Sequence, residues 1–460
     1  MVSSHIIAII DSMSAFRISR KRKATADRIS NLPENVTQQI LECLPLQEAA
    51  RTSVLSSHWK HKWAATQQLV LDKQLFSSIL KNKMETTDIS LAYSKTVNDI
   101  ILSHVGPIWK FVLYLPSWFP KESEFSQWIQ YVCANGVKEF TVEDACRPEK
   151  YLPNSLFSCK DLTHLTLINC KFLPLPPKFQ GFPCLISLRW ETPSFTSDNC
   201  KQISVLETLI SKCPQLRSLC LSFSMREKEN LRICAPKLQE LFMEGSLSHI
   251  FLEGTTVIKK LALDLFCTKF QHSKHMSDFF STLPKVEELI LKCLIWGAMK
   301  WSEFRSPRKF QKGLDRLQSL KLVAIPLHCH FSISLLLCLF MSSPPLERLY
   351  IEASQHEKVS DEQPIQIDNT CILPCLRNIQ LVGISGLHCQ VQLIKFLLAC
   401  SPALEEMSIE LNVGMGGAQE KFHFVTELLR YRRASPTAEV IIKTKTLSSV
   451  SYIFHPIWLE

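Results

Sequence analysis

Glycine is scarce in this chain, at 12 of 460 residues. That is too few for loops that cradle a nucleotide with bare backbone, and it leaves turn-making to other residues. None of the 18 cysteines stands in a C-x-x-C pair, and Cys220, Cys338 and Cys400 lie within apolar runs, as small buried thiols of a reducing compartment do. Long hydrophobic runs are missing as well. Ile6–Ile10 and Ile333–Met341 are both far short of a membrane span, and the basic residues follow the first run, so it makes a poor signal peptide. The sequence also lacks G-x-S-x-G, H-E-x-x-H and G-x-G-x-x-G. His328-Cys329-His330 has no second ligand pair at zinc spacing, and Gly414-Met415-Gly416-Gly417 with Lys421 has the wrong spacing for a phosphate loop. No catalytic residue, cofactor or metal is expected, and the chain reads as a non-enzyme that stays inside the cell. Its net charge of +9 is mild for this length and implies neither nucleic acid nor membrane.

What the chain has in abundance is one short phrase: apolar, two variable residues, apolar, variable, apolar. It starts at Leu162, Leu185, Leu216, Leu238, Ile258, Val286, Leu317, Leu346, Leu376 and Leu404, with spacings of 23, 31, 22, 20, 28, 31, 29, 30 and 28 residues. Looser copies start at Ile108 and Val137. In seven of the ten a proline (183, 214, 236, 284, 344, 374 or 402) stands two positions ahead of the first apolar residue. This is the leucine-rich-repeat pattern. The last four residues of each phrase alternate as a strand does, and the proline suits the turn entering it. Several intervening spans carry helical spacing, such as Ile203, Leu206, Leu209 and Ile210. A single strand–helix unit cannot bury its apolar side, whereas stacked copies can, so the expected fold is an α/β solenoid of short parallel strands. An ordinary α/β domain is the alternative; its strands would be longer and apolar on both faces.

The N-terminal region differs. Residues 1–26 read as a flexible tail, and Arg20-Lys21-Arg22-Lys23 within it as either a nuclear import signal or solvated charge. From Leu32-Pro33-Glu34 a helix is expected, with Val36, Ile40, Leu41 and Leu44 as its apolar stripe and Pro45 as its stop. A second helix carries Ala49, Ala50, Val54 and Leu55, and a third places Trp59 and Trp63 on one side. About forty such residues cannot close a good core alone. The run RISNLPENVTQQILECLPLQEAARTSVLSSHWKHKW resembles an F-box, in particular the plant form with its LP start, IL…LP centre, TSVLS and spaced tryptophans. That resemblance implies binding to the Skp adaptor of an SCF-type ubiquitin ligase. Leu32, Pro33, Ile40, Leu41, Leu44, Val54, Leu55 and Trp59 match the family's motif; some belong to a core and others to an interface. His58 departs from it, standing where a basic Arg is usual.

Near the other end, Leu428-Leu429-Arg430-Tyr431-Arg432-Arg433-Ala434-Ser435-Pro436-Thr437-Ala438-Glu439-Val440 resembles the FBD region of plant F-box/LRR proteins, with Tyr431-Arg432 in place of the common Phe-Pro. A helix over Phe424–Tyr431 and a closing strand over Ala438–Lys443 are expected, and capping the array ranks above a separate binding role. The domains are then 1–26 (basic tail), 27–66 (F-box), 67–370 (repeat array), 371–443 (FBD region) and 444–460 (C-terminal tail).

If the strands line an inner curve, the outward residues of each phrase form the surface open to a target. Phe242, Glu244, Lys260, Lys292, Lys321, Arg348 and Tyr350 are the candidates, with the two aromatics as anchors. Their charges alternate in sign, which suits a protein partner and disfavours a uniformly basic nucleic-acid groove. The expected function is substrate recognition for an SCF-type ubiquitin ligase, with the adaptor, a cullin beyond it and an unknown target protein as partners, in the nucleus, the cytoplasm or both. The alternatives are an interaction scaffold or a small-molecule sensor that no longer binds the adaptor.

Overall fold

The computed structural model describes residue 29 and residues 32–80, 86–117, 122–145, 150–192, 199–223, 230–245, 249–265, 286–292, 314–327, 330–354, 372–414 and 417–444. The basic run at 20–23 and most of the His328-Cys329-His330 cluster lie outside them. The chain forms two compact units: residues 1–225 with 229–238 and 251–255, and residues 226–228, 239–250 and 256–460.

The first unit begins with α1 (Glu34–Glu42) and α2 (Leu46–Arg51). Pro33 precedes α1 at φ −55°, Glu34 sits in the first turn where an anion complements the helix dipole, and Pro45 ends one helix and starts the next. The expected third helix is not a regular one. Trp59 lies in a turn, and Trp63 in a short 3-10 stretch, Lys62–Ala65. Ser56, Ser57 and His58 are weak helix formers, and Ser53 Oγ instead donates to the Lys60 carbonyl at 3.0 Å, closing the segment as a loop. Both indoles are buried all the same, with Leu41, Ala49 and Ala50.

The rest of that unit alternates strands and helices: β1 (Gln68–Leu71), α3 (Lys73–Leu80), α4 (Thr86–Ser103), β2 (Lys110–Leu115), α5 (Glu122–Ala134), β3 (Glu139–Asp144), β4 (His164–Ile168), β5 (Ser187–Thr192), α6 (Asn199–Ser211) and β6 (Ser218–Phe223). Each strand from β1 to β6 pairs in parallel with the next. Two very short strands, Tyr151–Leu152 and Lys171–Phe172, pair beside them. The helical head is sewn to the first repeat: Val105 N–H donates to the Ala64 carbonyl at 2.8 Å, and His104 Nε2 lies 2.9 Å from the Thr66 carbonyl.

In the second unit β7 (Glu240–Gly245), β8 (Lys260–Leu265), β9 (Glu288–Lys292), β10 (Ser319–Ile325), β11 (Arg348–Ala353), β12 (Asn378–Ile384), β13 (Glu406–Leu411) and β14 (Glu439–Thr444) form a parallel ladder in chain order. Helices α7 (His330–Ser342), α8 (His388–Cys400) and α9 (Ala418–Leu429) connect its later strands. Among the described residues no helix is long and apolar enough to cross a membrane.

Every phrase of the sequence yields a strand that starts two residues after its first apolar position, from Leu162 and His164 to Leu404 and Glu406. The backbone shows why. In Phe182-Pro183-Cys184-Leu185 the Leu N–H donates back to the Phe carbonyl at 3.3 Å, and Cys213-Pro214-Gln215-Leu216 repeats this at 3.1 Å. Proline thus sits second in a four-residue turn, the position its fixed φ favours and where no N–H is needed. Next, at most steps one carbonyl of a repeat takes two consecutive N–H groups of the following one; at the last step Glu405 O takes only that of Glu439. Gln239 O accepts from Lys259 and Lys260, Lys259 O from Glu287 and Glu288, and Glu287 O from Gln318 and Ser319. This double anchor sets the register before the ladder begins. The inward residues, among them Leu261, Leu289, Leu320, Leu349, Ile379 and Met407, are then buried.

Candidate functional site

The helical head divides the eight residues singled out there into two sets. Leu41 and Trp59 are each only 2% exposed and belong to the module's own core, the core side of the expected division. Val54 is 70% and Leu55 55% exposed, Ile40 and Leu44 are also exposed, Pro33 is exposed and Leu32 half-buried. The 3-10 stretch Thr52–Val54 follows α2 directly, its N-terminal residue held by Thr52 Oγ1 donating to the Ala49 carbonyl at 2.7 Å. An ion pair between Lys62 and Glu34 ties the end of the head to its beginning. These exposed aliphatics sit on a head whose two ends are tied together, and each is costly to leave in water. Beside it, a cleft of about 280 Å³ opens where the α1–α2 corner meets β1 and α3, with Leu44, Val70 and Leu75 among its walls.

The outward side of the second unit's ladder carries the other set. Register places Phe242, Ala262, Ile290, Lys321 and Tyr350 in one row, with Glu244, Asp264, Lys292 and Val323 in the next, which stops there because the pairing of β10 with β11 shifts beyond Leu322. All seven candidates of the sequence therefore share one side, and two pairs of them are in contact. Lys260 Nζ lies 5.8 Å from the centre of the Phe242 ring and 3.4 Å from Glu288. Lys321 Nζ stands 5.0 Å over the Tyr350 ring, whose hydroxyl donates to Glu352 at 3.3 Å. Arg348 is exposed, and the other six are half-buried. Outward does not mean accessible throughout, because Ala262, Ile290 and Val323 on the same side are buried.

Asp264 is the residue the sequence reading passed over. Its side chain is 2% exposed, and one carboxylate oxygen accepts from Lys292 Nζ at 2.5 Å. The other oxygen is buried with no hydrogen-bond partner. Burial raises its pKa above the usual carboxylate value; Lys292 opposes the shift, and Glu244 adds to it. Tyr350 is pushed up as well, first by burial and then by Glu352. The signal available beforehand was an acid in the row between Glu244 and Lys292, and alternation alone gives no burial. Among the described residues no group of three or more His, Cys, Asp or Glu side chains could hold a metal.

Comparison with known proteins matches both regions. The F-box domain family covers residues 29–65, and the family described as FBD-associated F-box protein At5g56370, LRR repeats, covers residues 125–287. The chain is 30% identical to F-box/FBD/LRR-repeat protein At1g13570 of Arabidopsis thaliana, over 90% of its own length and 98% of the relative's. It is 24% identical to F-box/FBD/LRR-repeat protein At1g51370 of the same plant, over 93% and 98%. FBD-associated F-box protein At4g10400, also of Arabidopsis thaliana, is 25% identical over 90% and 99%. With an F-box head, parallel strands at every repeat phrase and full-length relatives of the same composition, the chain belongs to the plant F-box/FBD/LRR-repeat family.

Proposed function

We propose that the chain is the substrate receptor of an SCF-type ubiquitin ligase. Its head, residues 27–66, docks on a Skp-type adaptor and through it a cullin, and the ladder of the array holds a target protein. Nothing in this role requires chemistry from the chain itself. Its contribution is proximity, raising the local concentration of target lysines near the ubiquitin-loaded enzyme. The observation that carries the reading is the exposure of Ile40, Leu44, Val54 and Leu55 on a head whose own core is already filled by Leu41 and Trp59. With Leu32 and Pro33 they make the adaptor-facing set, as apolar anchors for a partner's groove. On the ladder, Phe242, Glu244, Lys260, Lys292, Lys321, Arg348 and Tyr350 make the target-facing set. The FBD region, residues 371–443, ends the array with α9 and β14.

The deciding experiment is co-purification of the adaptor with a Val54→Asp/Leu55→Asp double variant. Both side chains are exposed, so the thermal midpoint stays where it was, while loss of two interface anchors of about 2 kcal/mol each weakens adaptor binding by well over tenfold. Undiminished binding by a folded double variant would remove the docking assignment and favour a scaffold that acts without the ligase.

A further inference from the structure

A solenoid end needs a polar outer surface to remain alone in water. Among the described residues, the end formed by α9 and β14 mixes exposed polar side chains, such as Glu420, His423, Glu439 and Lys443, with exposed apolar ones. At the inward positions of the second unit the strands from β7 to β13 bury their residues almost completely, as with Met407 and Ile409 in β13. Val440 and Ile442, their register partners in β14, are only half-buried. On the adjoining helix Phe422 is 73% and Leu429 66% exposed, seven residues apart and so on one helical face. Among the described residues β14 pairs with β13 and with no other strand, which leaves a row of backbone donors and acceptors on its outer side.

We propose that this end is an interface between two copies of the chain, joined by antiparallel pairing of β14 with its counterpart. The strand Glu439-Val440-Ile441-Ile442-Lys443-Thr444 is complementary to itself. With the two-fold axis at Ile441, Glu439 of each copy faces Lys443 of the other, and Val440 faces Ile442. Opposite residues of an antiparallel pair share a face of the sheet, so the inward apolar pair meets inward and both charge pairs lie outward. Moving the register by two residues sets Glu439 or Lys443 against Ile441 and loses both ion pairs. The interface is isologous and closes at two copies, so it ends the ladder without seeding a filament. This inference is independent of adaptor docking and uses a different end of the chain.

The test is light scattering behind size exclusion on the full chain, whose monomer mass is 52.7 kDa. The expected result is twice that mass. Lys443→Glu sets two pairs of like charges across the axis and weakens the dimer at least tenfold, and adding Glu439→Lys to it restores the dimer with the charges exchanged. Both side chains are exposed, so circular dichroism of each variant stays unchanged. A monomeric wild-type chain overturns the proposal, whether the end is then covered by residues after Thr444 or left for a different protein. So does a dimer indifferent to Lys443→Glu.

Discussion

Asp264 shows how a single side chain can carry information that alternation does not. It stands on the outward side of β8, yet it is buried, held by Lys292 on one oxygen and, among the described residues, with no hydrogen-bond partner on the other. Its folded pKa lies above the ordinary 3.8, so over the interval between the two values the folded chain keeps a proton that the unfolded chain has released. Stability from this group is therefore present at pH below 3.8 and is lost as pH rises through the folded value. Asp264→Asn removes that loss. Near neutrality the variant should be at least as stable as the parent in urea, and its advantage should shrink as pH falls below the ordinary carboxylate value. A variant markedly less stable at neutral pH would mean that attraction to Lys292 outweighs desolvation. The apolar residues of each phrase were legible from spacing, because strand period and side-chain polarity coincide there. Asp264 was not, since burial of an outward acid depends on chain distant in sequence.

At the scale of elements, the strands were readable and the helices less so. Each strand begins at a fixed distance from its phrase because the turn and the doubled carbonyl anchor act on the backbone at that point. The helices have no comparable marker. Phe424–Tyr431 was the expected terminal helix, whereas α9 spans Ala418–Leu429; Gly417 precedes it without a side-chain cap. In the head, the four-residue spacing of Trp59 and Trp63 suggested a helix, but two buried indoles can reach one core from a turn and a 3-10 stretch just as well. Packing between successive elements is close enough to exclude a methyl group at one point. Gly181 has φ +107°, and a Cβ there would lie 1.9 Å from the Lys212 carbonyl oxygen just past α6. Lys212 in turn donates to the Phe179 carbonyl at 2.6 Å, so the loop cannot simply swing away. Gly181→Ala combines left-handed strain with a backbone clash and should cost more than about 2 kcal/mol in a denaturation midpoint series. A loss below half that would show that the loop yields easily.

For the whole molecule, the head and the array are joined by backbone. Ala64 and Thr66 accept from Val105 and His104, and Gln67 from Trp109 and Lys110. The F-box therefore does not end as a structural unit where its sequence motif ends. A fragment of residues 29–66 leaves the carbonyls of Ala64 and Thr66 without these partners, and it should show no cooperative thermal transition. Residues 29–145, which add β1 to β3 and α3 to α5, should unfold cooperatively; equal behaviour of the two fragments would contradict this dependence.

The paired N–H groups resting on one carbonyl at most steps have a consequence for how the proposed target surface can change. Alignment of neighbouring strands is decided by peptide groups, before any outward side chain takes part. Phe242, Lys321 or Tyr350 can accordingly be exchanged for other residues with the rungs still in place. In the proposed role, such a ladder can be re-addressed to a new client by rewriting its lettering alone.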